Sequence, residues 1–441
     1  MPRTLIADLK EKVGEQVKVS GCVSVRRDQG KMVFFDLRDR SGMVQGVVLP
    51  REELAMTAAK EVRAEYVVSV TGLLNKRPDK NINSDVQNGD VELQIQALEI
   101  LSRAEVPFEL GVEVNLDTHL DHLPYTLRSE RSKDIFRVQE TITRTFRTSL
   151  RGQGFVEFQA PVLAGADAEG GATAFEVKYL YDQKGYLATS PQLYKQIMVG
   201  VYERVFTTSK AFRAEKHATT RHLSEAMQMD FEMGFIDDHR DVLKVLEHVI
   251  RAICLAVGEE QHAALVRFNV ALPLVPAGTF PSITLREAQK ILGVPEEADL
   301  DPEQERAIAE WAKKEHGSDF LFVTHFPTVG RAFYTYEDPA EAPLSRGFDL
   351  LFRGLEINSG AQRIHNYDDL VARIKERGMD PQKFTYYLEA FKTGLPPHGG
   401  CSTGLERLTM KMLDLPNIKE ATLFPRDINR IDTLLSTDKK D

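Results

Sequence analysis

The sequence predicts an α+β protein in which a small β-barrel precedes a larger domain built on an antiparallel β-sheet flanked by helices. The first hundred residues alternate β-favouring side chains between turn signals. From residue 129 onward, helical and strand-like segments are mixed without the regular alternation of a doubly wound sheet. The chain contains neither a Walker-type GxxxxGK(S/T) motif nor a GxGxxG motif after a strand. Any bound nucleotide must therefore be held by side chains.

Length and composition indicate a globular protein of two or three domains. The chain has 441 residues, of which 42% are hydrophobic and 28% charged, and no run of about 18 apolar residues occurs. Its first residues do not resemble a signal peptide, and Cys22, Cys254 and Cys401 are so widely spaced that neither a disulfide framework nor a zinc cluster is implied. We therefore expect a cytoplasmic protein. The net charge of -10 argues against indiscriminate coating of nucleic acid but leaves room for a local basic patch.

Residues 1–103 are predicted to form a five-stranded barrel of the oligonucleotide-binding (OB) type. Turn signals divide "EQVKVSGCVSVRRDQGKMVFFDLRDRSGMVQGVVLP" into short strands, and "EYVVSVTGLLNKR" and "VELQIQALEILSR" supply two more. The segment "REELAMTAAKEVRA" predicts one helix between them. Five short strands with a single helical interruption are typical of this barrel.

Aromatic and basic side chains share the strands of the predicted barrel. Phe34 and Phe35 lie beside Arg26 and further Lys and Arg residues, and such strand faces stack and hold single-stranded bases. Because neighbouring residues of a strand point to opposite faces, at most one of the two phenylalanines is a stacking platform. The pattern favours nucleic-acid binding, although the same architecture also supports unrelated functions.

The second domain is predicted over residues 129–441, after a hinge at 104–128 that combines prolines with many charges and little periodicity. The segment "SKDIFRVQETITRTFRTSLRGQG" predicts a helix, because apolar side chains recur at helical spacing and glycines follow. This stripe comprises Ile135, Val138, Ile142, Phe146 and Leu150. A strand, "FVEFQAPVL", comes next and is stopped by Pro161.

Cations and carboxylates are concentrated in "AFRAEKHATTRHLSEAMQMDFEM", residues 211–233. Arginine suits phosphate binding because its planar guanidinium donates two parallel hydrogen bonds and stays charged. Arg213 and Arg221, with His222, are candidates, and Arg407 in "GGCSTGLERLTM" is another. Each alone is more commonly a surface ion-pair residue. Together with flanking glycines and carboxylates, they indicate a phosphate site.

These segments together give the chain a specific resemblance to a known family. "GFVEFQAPVL", "FRAEKHATTRH" through "MDFEM", and "GLERL" resemble, in order, the three motifs of the class II aminoacyl-tRNA synthetases. "EGGATAF", "SPQLYKQIM" and "GLEINSGAQRIH" resemble segments of the archaeal-type aspartyl branch. The resemblance covers nearly the whole chain. It implies an OB-fold anticodon-binding domain followed by a class II catalytic domain.

The resemblance implies an ATP site in which Arg213 contacts the α-phosphate and the attacking carboxylate, while Arg407 lies over the adenine and reaches the γ-phosphate. It places Glu215 at the adenine and Arg221 at the terminal phosphates. The implied catalytic residues are Arg213, Arg407 and Glu356. The full implied ATP-binding set is Arg213, Glu215, Arg221, His222, Leu223, Glu356, Gly404, Leu405, Glu406 and Arg407.

Magnesium is the cofactor that the resemblance implies. Glu356 and Ser359 match metal positions, with Asp349 as an outer contributor, and such oxygen ligands suit a hard cation that retains waters. The alternative for Glu356 is a strand carboxylate paired with Arg353.

The resemblance also implies an aspartate pocket. Lys195 and Arg363 match the pair that clamps the side-chain carboxylate, and two cations facing one anion exclude asparagine, whose amide cannot satisfy them. Asp230, Gln192 and Glu169 would serve the amino group, with Glu169 on a mobile loop. The implied aspartate-binding set is Glu169, Gln192, Lys195, Arg213, Asp230, Ser359 and Arg363.

Three positions depart from the family pattern. Ala226 stands where many relatives place an aromatic ring under the adenine, Thr189 replaces the usual Glu or Gln, and Ser402 replaces a glycine of the third motif. None of them alters the cations or Glu356, so we expect an active enzyme. The alternatives are a non-catalytic RNA-binding paralogue, which predicts loss of the ATP-binding arginines, and an amide-forming paralogue, which lacks the N-terminal barrel.

For the tRNA, the resemblance implies anticodon contacts from Ser24, Arg26, Phe34 and Gln45. Ser24 is small where discriminating archaeal-type relatives tend to carry a bulky aromatic residue. We therefore expect aspartylation of tRNA(Asn) as well as tRNA(Asp), which implies an amidotransferase acting downstream. The alternatives are a strictly discriminating enzyme and a choice imposed by loop groups around residues 76–90.

The first motif predicts a homodimer formed by residues 134–163, because the family pairs this helix and strand with its own copy about a two-fold axis. Light scattering at micromolar concentration is expected to give twice the chain mass of 49.7 kDa. A monomeric mass would contradict the prediction.

Overall fold

The chain forms two compact units in the computed structural model, Met1–Val112 and Glu113–Asp441. The structure describes residues 1–84, 86–165, 174–215, 219–433 and 435. The boundary between the units falls within the stretch predicted as a hinge. Part of that stretch is helical, because the Asn115 side chain accepts a hydrogen bond from the backbone N–H of Thr118 and so caps a short helix.

The first unit is a closed five-stranded barrel, as predicted for an OB fold, with the strand order β1-β2-β3-β5-β4. Its core is lined by inward-facing aliphatic side chains and Phe35. A single α-helix lies between the third and fourth strands, where the sequence predicts it. The elements are β1 (Gln16–Gln29), β2 (Met32–Asp39), β3 (Gly42–Val48), α1 (Glu53–Glu61), β4 (Val67–Lys76) and β5 (Val91–Ser102).

The second unit places helices around an eight-stranded sheet, so the predicted α+β class is confirmed. Its helices are α2 (Leu116–Asp121), α3 (Leu123–Thr126), α4 (Glu130–Gly152), α5 (Gln192–Tyr202), α6 (His239–Glu260), α7 (His262–Phe268), α8 (Leu285–Leu292), α9 (Pro302–His316), α10 (Tyr367–Glu376), α11 (Thr385–Lys392) and α12 (Leu405–Met412). Across both units, 3-10 helices span Ile6–Lys12, Asp79–Asn81, Leu180–Asp182, Thr328–Gly330, Pro381–Phe384 and Ile418–Ala421.

The large sheet has the order β12-β13-β14-β15-β16-β11-β10-β6, and a small sheet has the order β7-β9-β8. The strands are β6 (Val156–Glu157), β7 (Leu163–Ala164), β8 (Glu176–Lys178), β9 (Lys184–Leu187), β10 (Arg204–Phe212), β11 (Glu225–Gly234), β12 (Ser282–Thr284), β13 (Phe320–Thr324), β14 (Gly347–Phe352), β15 (Leu355–Gln362) and β16 (His398–Gly404).

The sheet is antiparallel through its centre but parallel at both ends, where β12 joins β13 and β6 joins β10. The antiparallel sheet of the prediction thus forms the centre of a mixed sheet. The predicted strand "FVEFQAPVL" is also shorter than expected, with only two residues in β6. Pro161 lacks a backbone N–H and so cannot extend the ladder.

The helix predicted from the apolar stripe is α4, and all five residues of the stripe are buried. Its N-terminus is capped by Ser129, whose hydroxyl accepts from the backbone N–H of Ser132. The stripe packs with α6 and the core face of β11 in one hydrophobic cluster. Among the described residues, no helix combines the length and hydropathy that crossing a membrane requires.

Candidate active site

Strand β11 positions the polar side chains of the site by simple alternation. Every second residue, Met229, Phe231 and Met233, is buried in the hydrophobic core. The intervening residues Asp230 and Glu232 therefore point to the opposite face of the sheet. The sequence "MQMDFEM", residues 227–233, shows this alternation of apolar and polar residues.

A row of five polar residues crosses the sheet on that face. Asp349 pairs with Ser359, Ser359 with Ser402, Ser402 with Asp230, and Asp230 with Thr207, across β14, β15, β16, β11 and β10. The row brings together segments more than 100 residues apart in sequence. Ser402, one of the departures from the family pattern, lies at its centre.

A cavity of about 130 Å³ opens over this face. Its cations come from the loop after β10 and from α12, and its carboxylates come from the same loop, β15 and α12. Ala226, another departure, also lines it. The predicted ATP-site and metal-site residues that line the cavity are Arg213, Glu215, Arg221, His222, Leu223, Glu356, Ser359, Gly404, Glu406 and Arg407.

Arg213 is the cation of this cavity without a protein partner, since its side chain forms no hydrogen bond or ion pair with the part of the chain that the structure describes. Arg221 is held differently, by an ion pair of 2.9 Å between its Nη2 and Oε2 of Glu305. Burial, only partly offset by Arg221, raises the pKa of Glu305 to about 7. Arg407 is paired too, with Glu356. Of the three arginines among the described residues that line the cavity, Arg213 is therefore the one available for an anion.

Beside the cavity lies a buried cluster of two cations and two carboxylates. Lys195 Nζ donates to Asp230 Oδ1 at 3.0 Å and to the carbonyl of Cys401 at 3.1 Å, and lies 3.4 Å from Glu232 Oε2. Arg363 Nε donates to Glu232 Oε1 at 2.8 Å. All four charged side chains are at most 5% exposed. We call Lys195, Asp230, Glu232 and Arg363 the buried charge cluster.

The two carboxylates of the cluster differ in their environments. Burial raises the pKa of Asp230 above its ordinary value, although Lys195 opposes the effect. Burial also acts to raise the pKa of Glu232, but the charges of Arg363 and Lys195 outweigh it, so the pKa lies below its ordinary value. Glu232 is therefore the anion that both cations stabilise.

The backbone around the cluster leaves room for these contacts. A Cβ atom at Gly400 would lie 2.3 Å from Glu232 Oε2, so only glycine fits against the carboxylate. The carbonyl of Gly400 in turn accepts from Arg363 Nη2 at 2.8 Å. On α5, Gln192, Lys195 and Gln196 are all buried at helical spacing, which gives this helix a polar inner face.

Two acceptors near the cluster have no hydrogen-bond partner within the described ranges: Asp230 Oδ2 and Gln228 Oε1. Buried polar atoms are nearly always paired in native proteins. A ligand that brings N–H donors, such as a primary ammonium group, would satisfy an acceptor of this kind.

Family comparisons agree with this geometry. Residues 115–428 match the family of class II tRNA synthetases (D, K and N), and residues 17–101 match the OB-fold nucleic acid binding domain. The chain is a class II tRNA synthetase.

The relatives of this synthetase align with it over nearly their whole length. The aspartate–tRNA(Asp/Asn) ligase of Thermus thermophilus is 42% identical, covering 97% of this chain and 99% of that protein. The aspartate–tRNA(Asp) ligase of Pyrococcus horikoshii is 37% identical, covering 95% and 96%. A crystal structure of asparaginyl-tRNA synthetase from Pyrococcus horikoshii with asparaginyl-adenylate superposes with a TM-score of 0.89, at 31% identity over 98% and 99% of the two chains.

Some predicted site residues of the synthetase lie outside the cavity. Leu405 is buried in the hydrophobic core, and Asp349 does not line the cavity. Lys195, Asp230 and Arg363 form the adjacent buried charge cluster, and Gln192 Oε1 accepts from Arg363 Nη2 at 3.4 Å. Glu169 lies outside the described residues.

Two of the predicted metal ligands, Asp349 and Ser359, lie at one end of the polar row and bind an arginine that the sequence analysis did not identify. Arg331 donates from Nη1 and Nη2 to the two carboxylate oxygens of Asp349, at 3.1 and 2.7 Å, and from Nη1 to Ser359 Oγ at 3.2 Å. Glu356 pairs with Arg407 at 3.3 Å. Arg353 pairs with Asp319 instead, so the alternative pairing of Glu356 with Arg353 is wrong.

The carboxylate of Glu406 binds a backbone N–H group of the protein. Both of its oxygens accept from the backbone N–H of Met227, at 3.0 and 3.1 Å. Burial raises the pKa of Glu406 to about 7. The residue therefore fixes the start of β11 against α12 at the wall of the cavity.

Sequence reasoning missed Glu232, Arg331 and Glu305. Glu232 could have been identified, because strand alternation places it on the same face of the sheet as Asp230. Arg331 and Glu305 come from a loop and from α9, and their contacts with Asp349 and Arg221 join distant segments. No local pattern marks either residue.

A second, larger cavity of about 320 Å³ lies on the other side of α5. It is lined largely by aromatic and aliphatic side chains, including Tyr194 and Tyr387, and Lys383 is the one Lys or Arg among its described lining residues. Thr189, the third departure from the family pattern, belongs to this cavity. The cations suited to phosphate line the smaller cavity.

In the barrel unit, the side chains of the adjacent residues Phe34 and Phe35 lie on opposite faces of strand β2. Phe35 is fully buried and Phe34 is half-buried on the outer face. The register of β1 shifts between Val23 and Val25, so that Arg27 rather than Arg26 lies opposite Phe34. Without this bulge, the alternation of side chains along β1 would place Arg26 on the same face as Phe34. The extra residue places Arg27 there instead.

The other two predicted anticodon residues take part in hydrogen-bond networks on the same barrel. Gln45 donates from Nε2 to Glu92 and accepts from Arg27 at 3.4 Å. Ser24 Oγ accepts from Arg38 Nη1 at 2.9 Å, and Arg38 in turn donates to both oxygens of Glu65. Each of the two polar side chains is therefore held by a charged neighbour.

Replacing Glu232 with Gln is expected to lower the free energy of unfolding by about 3–5 kcal/mol, because it leaves two buried cations with one carboxylate. Glu225→Gln is the matched control on the same strand, since Glu225 pairs with the half-exposed Lys210 and its loss should cost less than about 1 kcal/mol. Urea unfolding of both variants measures the difference. Equal effects would contradict the assigned role of Glu232.

Proposed function

We propose that this synthetase attaches L-aspartate to tRNA(Asp) at the expense of ATP, through an aspartyl-adenylate. The observation that supports aspartate most directly is the buried charge cluster, in which Lys195 and Arg363 lie beside a cavity lined by phosphate-binding cations. The curated relatives named above, both ligases for aspartate, favour the same substrate.

Aspartate fits the charge balance of the cluster. Its side-chain carboxylate adds one negative charge near Lys195 and Arg363, and its ammonium adds one positive charge near the orphan acceptor Asp230 Oδ2. Arg363 Nη1 makes no hydrogen bond within the described ranges and so remains available to donate to the carboxylate. Asparagine would present an amide N–H₂ to two cations, which is unfavourable.

The proposed chemistry needs no side-chain nucleophile. The α-carboxylate of aspartate attacks the α-phosphorus of ATP in line, and pyrophosphate leaves, so catalysis consists of positioning and electrostatic stabilisation. Arg213, which has no partner among the described residues, would stabilise the charge that develops on the α-phosphate. Arg221, His222 and Arg407 would hold the terminal phosphates. The terminal ribose hydroxyl of tRNA then attacks the aspartyl-adenylate.

Magnesium bound with ATP fits the oxygen donors of this site. Glu356, Ser359 and Asp349 supply hard oxygen ligands, and a magnesium ion usually takes one or two carboxylates together with substrate phosphates and waters. When bound, the ion would neutralise phosphate charge. Within the described parts of the chain, no three His, Cys, Asp or Glu side chains are grouped to hold a metal by themselves.

Arg363→Lys is expected to lower kcat/KM for aspartate in ATP–pyrophosphate exchange by at least roughly 30-fold, because lysine keeps the charge but loses the forked contact with carboxylates. Lysine is preferred to leucine here, since leucine would leave the buried Glu232 with Lys195 alone to stabilise its charge. The KM for ATP should change little.

Arg346→Lys provides the matched control for that measurement. Like Arg363, Arg346 pairs with a carboxylate, here that of Asp338, contacts a glutamine and lies over a tyrosine ring, but it lies outside the buried charge cluster. Its replacement should leave aspartate activation within about threefold of the wild type. Equal losses in the two variants would refute the assignment of Arg363 to the aspartate pocket.

We further propose that the barrel accepts both tRNA(Asp) and tRNA(Asn). The two anticodons, GUC and GUU, differ only in the last base, where cytosine presents an exocyclic donor and uracil an acceptor. Phe34, half-buried on the outer face, offers a sequence-tolerant stacking surface. Ser24 accepts one hydrogen bond from Arg38, which leaves a lone pair for cytosine and an O–H for uracil. Such a hydroxyl does not separate the two bases.

Aminoacylation of both purified transcripts is expected to give kcat/KM values within about tenfold of each other. Phe34→Ala should lower both values by a similar factor, because stacking does not distinguish bases. A ratio above about 100 in favour of tRNA(Asp), worth roughly 2.7 kcal/mol, would instead support the strictly discriminating alternative. A ratio near one implies a downstream amidotransferase that converts aspartyl-tRNA(Asn).

A further inference from the structure

Arg331 occupies an unusual position among the predicted metal ligands. It follows the 3-10 helix Thr328–Gly330, and its guanidinium lies 3.7 Å from the centre of the Phe326 ring. It donates to both carboxylate oxygens of Asp349 and to Ser359 Oγ. A cation therefore holds two of the three residues that the metal is expected to use.

The position of Arg331 is fixed by the surrounding chain. Arg377 donates to the backbone carbonyls of Thr328, Val329 and Arg331, which ties down the loop that carries the guanidinium. Stacking on Phe326 fixes the plane of the guanidinium from its other side. The forked contact with Asp349 is thus preorganised.

Two arginines offset two of the three negative charges at this end of the polar row. The carboxylates are Asp349, Asp299 and Glu356, and Arg331 interacts electrostatically with all three. Glu356 has a second partner in Arg407. A divalent cation approaching without a nucleotide therefore meets two arginines among the carboxylates, and the repulsion offsets the attraction.

We propose that Arg331 is a positioning residue and a built-in counter-ion, which prevents the carboxylates at this end of the polar row from binding a divalent cation in the absence of ATP. The metal then binds together with the nucleotide, whose phosphates supply the missing negative charge. This inference rests on the proposed function of the cavity as an ATP site. It adds a role for a residue that contacts neither aspartate nor tRNA in the proposed reaction.

Manganese binding to the nucleotide-free protein tests the proposal, with the electron paramagnetic resonance signal of free Mn²⁺ as the readout. The wild type is expected to bind Mn²⁺ with a Kd above about 1 mM, because Asp349 and Glu356 are already paired with arginines. Arg331→Gln removes the counter-ion and should tighten binding at least about tenfold. Arg331→Lys keeps the charge and should bind as weakly as the wild type.

Two further variants make the test specific. Arg353→Gln is the matched control, because Arg353 also lies over a phenylalanine ring and pairs with a buried aspartate, Asp319, but away from the cavity. It should leave Mn²⁺ binding unchanged. The double variant Arg331→Gln, Asp349→Asn removes the unpaired carboxylate and should lose the tighter binding.

Two results would overturn the proposal. One is tight Mn²⁺ binding by the nucleotide-free wild type. This measurement does not require the Arg331→Gln variant to fold. The other is a folded Arg331→Gln variant that binds Mn²⁺ no better than Arg353→Gln. Aspartate-dependent ATP–pyrophosphate exchange by the wild type is measured separately. Its absence would refute the proposed function, whereas its presence without the manganese result would refute only the role of Arg331.

Discussion

The catalytic unit depends on balancing two buried cations with two buried carboxylates on one face of its central sheet. Lys195 and Arg363 are nearly inaccessible to solvent, and each would be strongly destabilising alone. Asp230 and Glu232 neutralise them only because β11 presents both carboxylates on the same face. The glycine at position 400 and the polar inner face of α5 follow from this requirement, since each provides space or a hydrogen bond for the cluster.

Pairing of buried charges also occurs at the far end of the polar row and around the cavity. There Arg331 pairs with Asp349, Arg407 with Glu356, and Arg221 with Glu305. Arg213 differs from these arginines because it has no partner in the described structure. Among the described residues of the site, the pairing leaves the arginines fixed except for Arg213, which suits the phosphate role proposed for it.

Periodic segments were predictable from the sequence, and long-range contacts were not. The stripe of α4 and the five strands of the barrel follow from local hydrophobic spacing, and strand alternation predicts that only one of Phe34 and Phe35 faces outward. The register shift in β1 was not predictable, because a one-residue bulge leaves no composition signal and yet exchanges the faces of Arg26 and Arg27. Arg331 was missed for a related reason, since its role depends on a contact with a strand formed later in the chain.

Amino-acid selectivity in ATP–pyrophosphate exchange by the wild-type protein tests the central claim most directly. If the buried charge cluster selects a second carboxylate, aspartate should support exchange and asparagine should have a kcat/KM at least about 100-fold lower. The comparison is informative because asparagine has nearly the same size and shape as aspartate, so that charge is the main difference between them. Exchange with asparagine at a rate equal to or above that with aspartate would contradict the account.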